Sequence, residues 1–387
     1  MKSIQNGINK DVGDYLIHLL ASVLWNRRPE EIPQTVSFEA LFYLAKYHCV
    51  ESMAFYGIDQ LNKKPEPELY QKWRQYRERN LLQSLTQISE KNAIIQNLFQ
   101  AGIPVLPLKG CILKGLYPQE DYRQMADLDL LIPEDQALRA KEIMINLGYT
   151  SDHFEIGHHD SYSKKPYMGV ELHRCLLPEK EKNWEYFKGI WDNVLPENPF
   201  SGSYRMRWED FYLFQLMHFY KHYSESGSGI RSILDIAVFL SKVGTKLNKT
   251  YIDKEVKYLG LETFRKTAEE LAGKWFLENE KTGMEQLSCS GELMAEKVML
   301  SGVYGTAAQR VSNHIQELEQ NGYSAAKAKC LFVIRRIFMD KKSMYYAYPF
   351  LRKAGFLLPF CLTHRIIYSL LFKRKRIRRE WEQILKE

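Results

Sequence analysis

Asp127 and Asp129 stand two residues apart in the run Ala126 to Ile132, ADLDLLI. Side chains alternate across a strand, so this spacing puts both carboxylates on one face and turns Leu128 and Leu130 to the other, into a core. Aspartate is a poor strand former. A pair in one strand therefore asks for a reason, and a divalent cation, which takes oxygen ligands, is the commonest. Upstream, Val105 to Leu108 reads as a short apolar strand that passes through a Lys109-Gly110 turn into a helix. Unpaired amides at a helix start, together with the helix dipole, favour a phosphate, and Lys109 and Lys114 add positive charge beside it. Downstream, Tyr167 to Leu172 reads as a further strand that carries Glu171 and His173 on one face. If the Asp127 strand lies beside the turn, phosphate and carboxylates meet at one end of a sheet, which metal-bridged triphosphate chemistry needs.

The elements that position these residues follow from periodicity. The chain reads as helical from about residue 10 to residue 100, with Ser37 the expected cap of a single helix through FEALFYLAKYHCVESMAFYGI. A long amphipathic helix follows from Glu68, its second half striped by Leu85, Ile88, Asn92, Ile95 and Phe99, and Gly102 stops it. After the Asp127 strand, Pro133 opens a helix that Gly148 closes, and a polar, His-rich stretch leads to the Glu171 strand. Strand, helix, strand, helix, strand within about 70 residues describes a small α/β unit. The expected organisation is a helical region over 1–100, an α/β core over 101–200, a helical domain over 201–310 and a basic, aromatic, helical tail over 311–387.

The six cysteines are scattered without a C-x-x-C pair, which fits a reducing compartment better than a disulfide framework or a zinc finger. The apolar run Tyr15 to Trp25 is too short to span a bilayer and reads as a buried helix, so the expected location is cytoplasmic. Lys327 to Glu387 holds sixteen Lys and Arg against four Asp and Glu, so the net charge of +7 comes from a +12 tail on a −5 remainder. That remainder disfavours nucleic acid as a partner. In the tail, Tyr345 to Phe372 is aromatic and apolar, with Pro349 and Pro359 as breakers, and KRKRIRR follows. It is read as a packed helix with a solvated basic end, as a contact to an anionic membrane surface, or as a grip on nucleic acid. Three further groups have blander readings. Adjacent side chains point apart, so His158, His159 and Asp160 read as a solvated loop; His218 and His222 lie one helical turn apart without a zincin glutamate; Arg231 and Asp235 are spaced for an ordinary i,i+4 pair.

The pattern LKG, helix, Tyr-Pro, arginine, D-L-D-L-L-I and later V-E-L-H resembles the nucleotidyltransferase superfamily that includes DNA polymerase beta and kanamycin nucleotidyltransferase. It is most similar to a branch of largely uncharacterised bacterial proteins. The resemblance is specific over Ala101 to Cys175 and weaker over Phe38 to Tyr56 and Trp208 to Leu240. It implies an α/β (α+β) fold, a minimal nucleotidyltransferase core with a mixed β-sheet between helical regions. It also implies two Mg²⁺ ions, with Mn²⁺ as a substitute, held by Asp127, Asp129 and Glu171. Lys109, Gly110 and Cys111 would form the phosphate turn, Arg123 and His173 would flank the site, and His218 on the helical wall would face the nucleotide or acceptor. Elsewhere in the superfamily the turn is usually Gly-Ser or Gly-Gly and the third carboxylate aspartate. The implied reaction transfers a nucleoside monophosphate from a nucleoside triphosphate to a hydroxyl of a small molecule, sugar or protein. The alternative is a nucleotide-binding or membrane-docked regulatory protein that keeps the fold without turnover.

Overall fold

The apolar run after Lys10 forms α1 (Lys10–Leu24), and Ser37 caps α2 (Phe38–Tyr47) by accepting from the Ala40 amide at 3.1 Å. The single helix expected through Ile58 is two helices. The chain breaks at His48 to Val50, where Cys49 takes φ +52°, and α3 (Glu51–Ile58) starts afresh. Tertiary contact overrides helical propensity here: buried His48 accepts the Ile230 amide on Nδ1 at 3.2 Å and meets the Met299 carbonyl at 3.1 Å. The long helix is α4 (Pro67–Gln100), which ends ahead of Gly102 at φ +73°. This computed structural model describes residues 10–277 except 156, 180 and 198–201, residues 286–302, and from 307 onward all but 321, 339–343, 346–347, 373, 375–377, 379–380, 382–383 and 385–387.

The fold is α+β, built on a mixed five-stranded sheet in the order β1-β2-β5-β4-β3. Its strands are β1 (Leu106–Pro107), β2 (Asp127–Leu131), β3 (Thr150–His153), β4 (His159–Lys164) and β5 (Met168–His173). Only β2 and β5 run parallel, joined by α6 (Ala137–Asn146) and the β3-β4 hairpin. The His-rich stretch, expected as loop, supplies that hairpin; the burial pattern of β3 is exposed throughout apart from Ser151, so it lacks the apolar alternation that marks a strand. On one face of the sheet, Leu128, Leu130, Val170 and Leu172 pack with Ile94, Ile95 and Leu98 of α4 and with Ala140 and Met144 of α6. Burying each of these large side chains contributes ~1.5–3 kcal/mol. A slip of one residue would reverse every side chain, so this burial also fixes which residues point away from the core: Asp127, Asp129 and Glu171.

Beyond the short α7 (Trp184–Phe187) and a two-stranded hairpin, β6 (Val194–Pro196) with β7 (Tyr204–Met206), the chain turns helical: α8 (Trp208–Glu225), α9 (Ile230–Val243), α10 (Lys249–Leu259), α11 (Glu262–Phe276) and α12 (Cys289–Ser301). One core joins α1 to α3 with α9, α11 and α12; another joins α8, α9 and α10 to Leu106, Leu108 and Leu113 around the Lys109 turn. The helical wall is thus packed directly behind the turn. In the tail, Pro359 sits at the second position of the helix Leu358–Phe372, which it opens, because proline suits a first turn that needs no amide donor. The basic run KRKRIRR lies largely outside the described residues. Among the described residues, no helix is long and apolar enough to cross a membrane.

Candidate active site

In the parallel ladder Asp127 lies opposite Gly169, Asp129 opposite Glu171 and Leu131 opposite His173. Partners in register share a face, so the three carboxylates converge on the side of the sheet away from α4 and α6. Gly169 makes room for this. A Cβ there would collide with Asp127 Oδ1, so glycine is the residue that lets the Asp127 carboxylate lie across β5.

Asp129 is the hub. Its Oδ1 accepts from Lys109 Nζ at 2.7 Å and from His173 Nε2 at 2.9 Å, while the Leu108 amide donates to its carbonyl at 2.9 Å. Burial alone would raise the Asp129 carboxyl, but the charge of Lys109 and the hydrogen bond from His173 outweigh it and hold the group well below the usual range. Asp127 moves the other way, pushed up by burial and then by the charges of Glu171 and Asp129. Among the described residues nothing donates to the Asp127 carboxylate. Glu171 stands 3.5 Å from His159 Nε2 and 3.5 Å from His173 Nε2, and the contact with His173 lowers its pKa against the effect of burial.

The turn departs from the expected phosphate cradle. Lys109 takes φ +44°, a region that costs a residue with a Cβ about 1–3 kcal/mol, and here it directs the ammonium onto Asp129. The helix that follows, α5 (Gly110–Leu113), is one turn long, and the Cys111 amide already donates to the Leu108 carbonyl at 2.9 Å. The Cys111 thiol is buried in the sheet core, where burial pushes its pKa up to about 12. Lys114, expected to add charge beside the turn, is 4% exposed, has its Nζ 3.4 Å from Gln87 Oε1 on α4, and is pushed down to about 8 by burial.

Arg123, expected to flank the site, grips an aspartate outside the cluster. Its Nε and Nη2 donate to the two oxygens of Asp235 on α9 at 2.7 and 2.8 Å, and Tyr117 OH donates to the same carboxylate at 2.7 Å. Its Nη1 would lie 2.5 Å from a Cβ at Gly110, so the guanidinium packs beneath the turn and glycine leaves it room. Arg231 Nη1 donates to the Gln124 carbonyl at 3.0 Å. On α8 the rings of His218 and His222 lie 4.4 Å apart. Burial, followed by the charge of Lys109, holds His218 well below its ordinary pKa, with Asp129 acting in the opposite sense.

His158 and His159 depart from the solvated-loop reading. Both are half-buried, and their ring centroids lie 5.5 and 5.2 Å from that of His173. Alternation along β4 still turns Asp160 the other way, into burial beside Arg174. Burial and the neighbouring His173 and His159 rings push His158 down to about 3, so it is neutral at pH 7. The adjacency of two histidines opposite the V-E-L-H strand is the signal in the sequence, legible only once β4 is recognised as a strand. Among the described residues, two sets of three side chains bring one ligand atom each within 4.8 Å of one another: Asp129, Glu171 and His173, and His158, His159 and His173. A separate groove of about 600 Å³ runs behind the turn, lined by Lys91, Phe99, Cys111, Arg205 and Trp208, and its lining includes none of the three carboxylates.

The family model described as "Uncharacterised nucleotidyltransferase" matches residues 34–277, a span that runs from just before α2 to the end of α11 and includes every site residue described above. No curated protein and no solved structure matches the chain.

Proposed function

The chain belongs to the nucleotidyltransferase family whose model it matches, and from that premise we propose that it is a Mg²⁺-dependent enzyme transferring a nucleoside monophosphate from a nucleoside triphosphate to a hydroxyl of a small molecule, sugar or protein. The observation that carries this reading is the single face on which Asp127, Asp129 and Glu171 meet Lys109. The donor set fits a hard cation: three carboxylates are gathered with one lysine, and the Asp127 carboxyl is raised by burial and by its acidic neighbours. Asp127, Asp129 and Glu171 would hold the two ions. When bound, Mg²⁺ supplies Lewis-acid stabilisation of the phosphoryl oxygens and of the attacking hydroxyl.

The chain's own groups divide the remaining work. Lys109 and His173 keep Asp129 ionised and fixed in orientation, which suits a ligand and makes it a weak base. Glu171, whose imidazole contacts are longer, is the carboxylate assigned to accept the hydroxyl proton. Lys109, still 18% exposed, is assigned to draw the triphosphate toward the turn, and His218 on α8 to face the nucleotide or acceptor.

The test is incubation with each labelled nucleoside triphosphate and Mg²⁺, with and without candidate acceptors. Pyrophosphate release that disappears in Asp127→Asn is expected. Nucleotide binding without release from any acceptor would support the regulatory alternative, and absence of both would end the reading. Gly169→Ala should lower turnover about 10²-fold by displacing Asp127. The displaced group is the end of an exposed side chain, so the melting temperature should stay within a few degrees of the wild type. A variant with normal turnover would show that Asp127 does not act from this position.

A further inference from the structure

We propose that His158, His159 and His173 form a second cation site, distinct from the carboxylate cluster, that takes a divalent transition-metal ion such as Zn²⁺, Co²⁺ or Ni²⁺. Three observations carry this. One ring nitrogen of each of the three lies within 4.8 Å of the others, close enough for a single ion to gather them with small side-chain adjustments. The backbone fixes the set, because His159 and His173 are directly paired in the β4-β5 ladder and the Arg174 amide donates to the His158 carbonyl at 2.9 Å.

The third observation is unused bonding capacity. His173 is 2% exposed and directs Nε2 to Asp129, yet its buried Nδ1 has no hydrogen-bond partner among the described residues. His159 repeats the pattern, with Nε2 toward Glu171 and a buried Nδ1 that meets no partner among the described residues. A carboxylate that accepts from Nε2–H leaves Nδ1 as a bare lone pair, and burying such a group unpaired costs about 1–3 kcal/mol. A carboxylate behind the imidazoles of His159 and His173 is also the outer-shell arrangement that orients metal-binding histidines and raises their basicity.

Imidazole selects Zn²⁺, Co²⁺ or Ni²⁺, whereas oxygen donors suit Mg²⁺ and Mn²⁺, so neighbouring sites linked by the His173–Asp129 hydrogen bond would sort two kinds of ion. This inference does not rest on nucleotidyl transfer. It is tested with the tag-free full chain, stripped of metal by chelator and titrated with CoCl₂. Expected is one equivalent of Co²⁺ with a visible d–d band that persists in excess Mg²⁺. Affinity should fall about tenfold or more in His158→Gln and in His159→Gln, and stay unchanged in His153→Gln on the exposed strand β3 and in Asp127→Asn. Circular dichroism of each variant confirms that it folds. Displacement of Co²⁺ by Mg²⁺, full affinity in the His158→Gln/His159→Gln double variant, or loss of binding in Asp127→Asn would each overturn the proposal. The Mg²⁺ competition needs no variant and decides even if the histidine variants misfold.

Discussion

Arg123→Ala is expected to destabilise the chain by about 3–5 kcal/mol, the usual cost of leaving one member of a buried ion pair without its partner. The side chains of Arg123 and Asp235 are 9% and 15% exposed, and the guanidinium closes two hydrogen bonds on the carboxylate. Removing it leaves Asp235 with the Tyr117 hydroxyl in place of a guanidinium. The pair bridges 112 residues and fastens the loop ahead of β2 to α9, so its loss loosens the helical wall against the sheet and empties the space beneath Gly110. Arg123→Met/Asp235→Leu should recover most of the loss, since an apolar pair of similar volume removes both charges together. Urea midpoints of the wild type, both single variants and the double variant close the cycle. A single variant within about 1 kcal/mol of the wild type would show that the pair does not hold the two parts together.

That pair marks where sequence reading reaches its limit. The carboxylate strand was legible because its signal is local: Asp127 and Asp129 alternate with Leu128 and Leu130, and the core took the leucines. The same rule correctly placed Glu171 and His173 on one face of the neighbouring strand. Spacing along α9 suggested Arg231 for Asp235, but only the folded chain brings Arg123 to it. Cys111 was expected in the phosphate turn by resemblance, yet its amide closes a local bond to Leu108 and its thiol enters the core. The histidines were misread because β3, at the sheet edge, and β4 beside it are polar strands in which apolar alternation is weak, and because adjacency along the chain does not show the strand that His159 faces.

Asp129→Asn should lower turnover about a thousandfold or more, which corresponds to about 4 kcal/mol of lost transition-state stabilisation. The substitution keeps shape and one acceptor oxygen but removes the charge that binds the cation. The fold should survive. Lys109 is partly exposed and can turn to water, so the loss in stability should stay below about 2 kcal/mol. Lys109→Met separates the two roles Asp129 could have. If Asp129 merely anchored the lysine, both variants would lose the same activity. If it holds the cation, Lys109→Met should chiefly raise KM for the triphosphate, while Asp129→Asn should depress kcat even at saturating nucleotide and Mg²⁺. Steady-state pyrophosphate release over a matrix of nucleotide and Mg²⁺ concentrations distinguishes them. Equal losses in kcat would leave Asp129 as a structural partner of Lys109 and move the cation to Asp127 and Glu171.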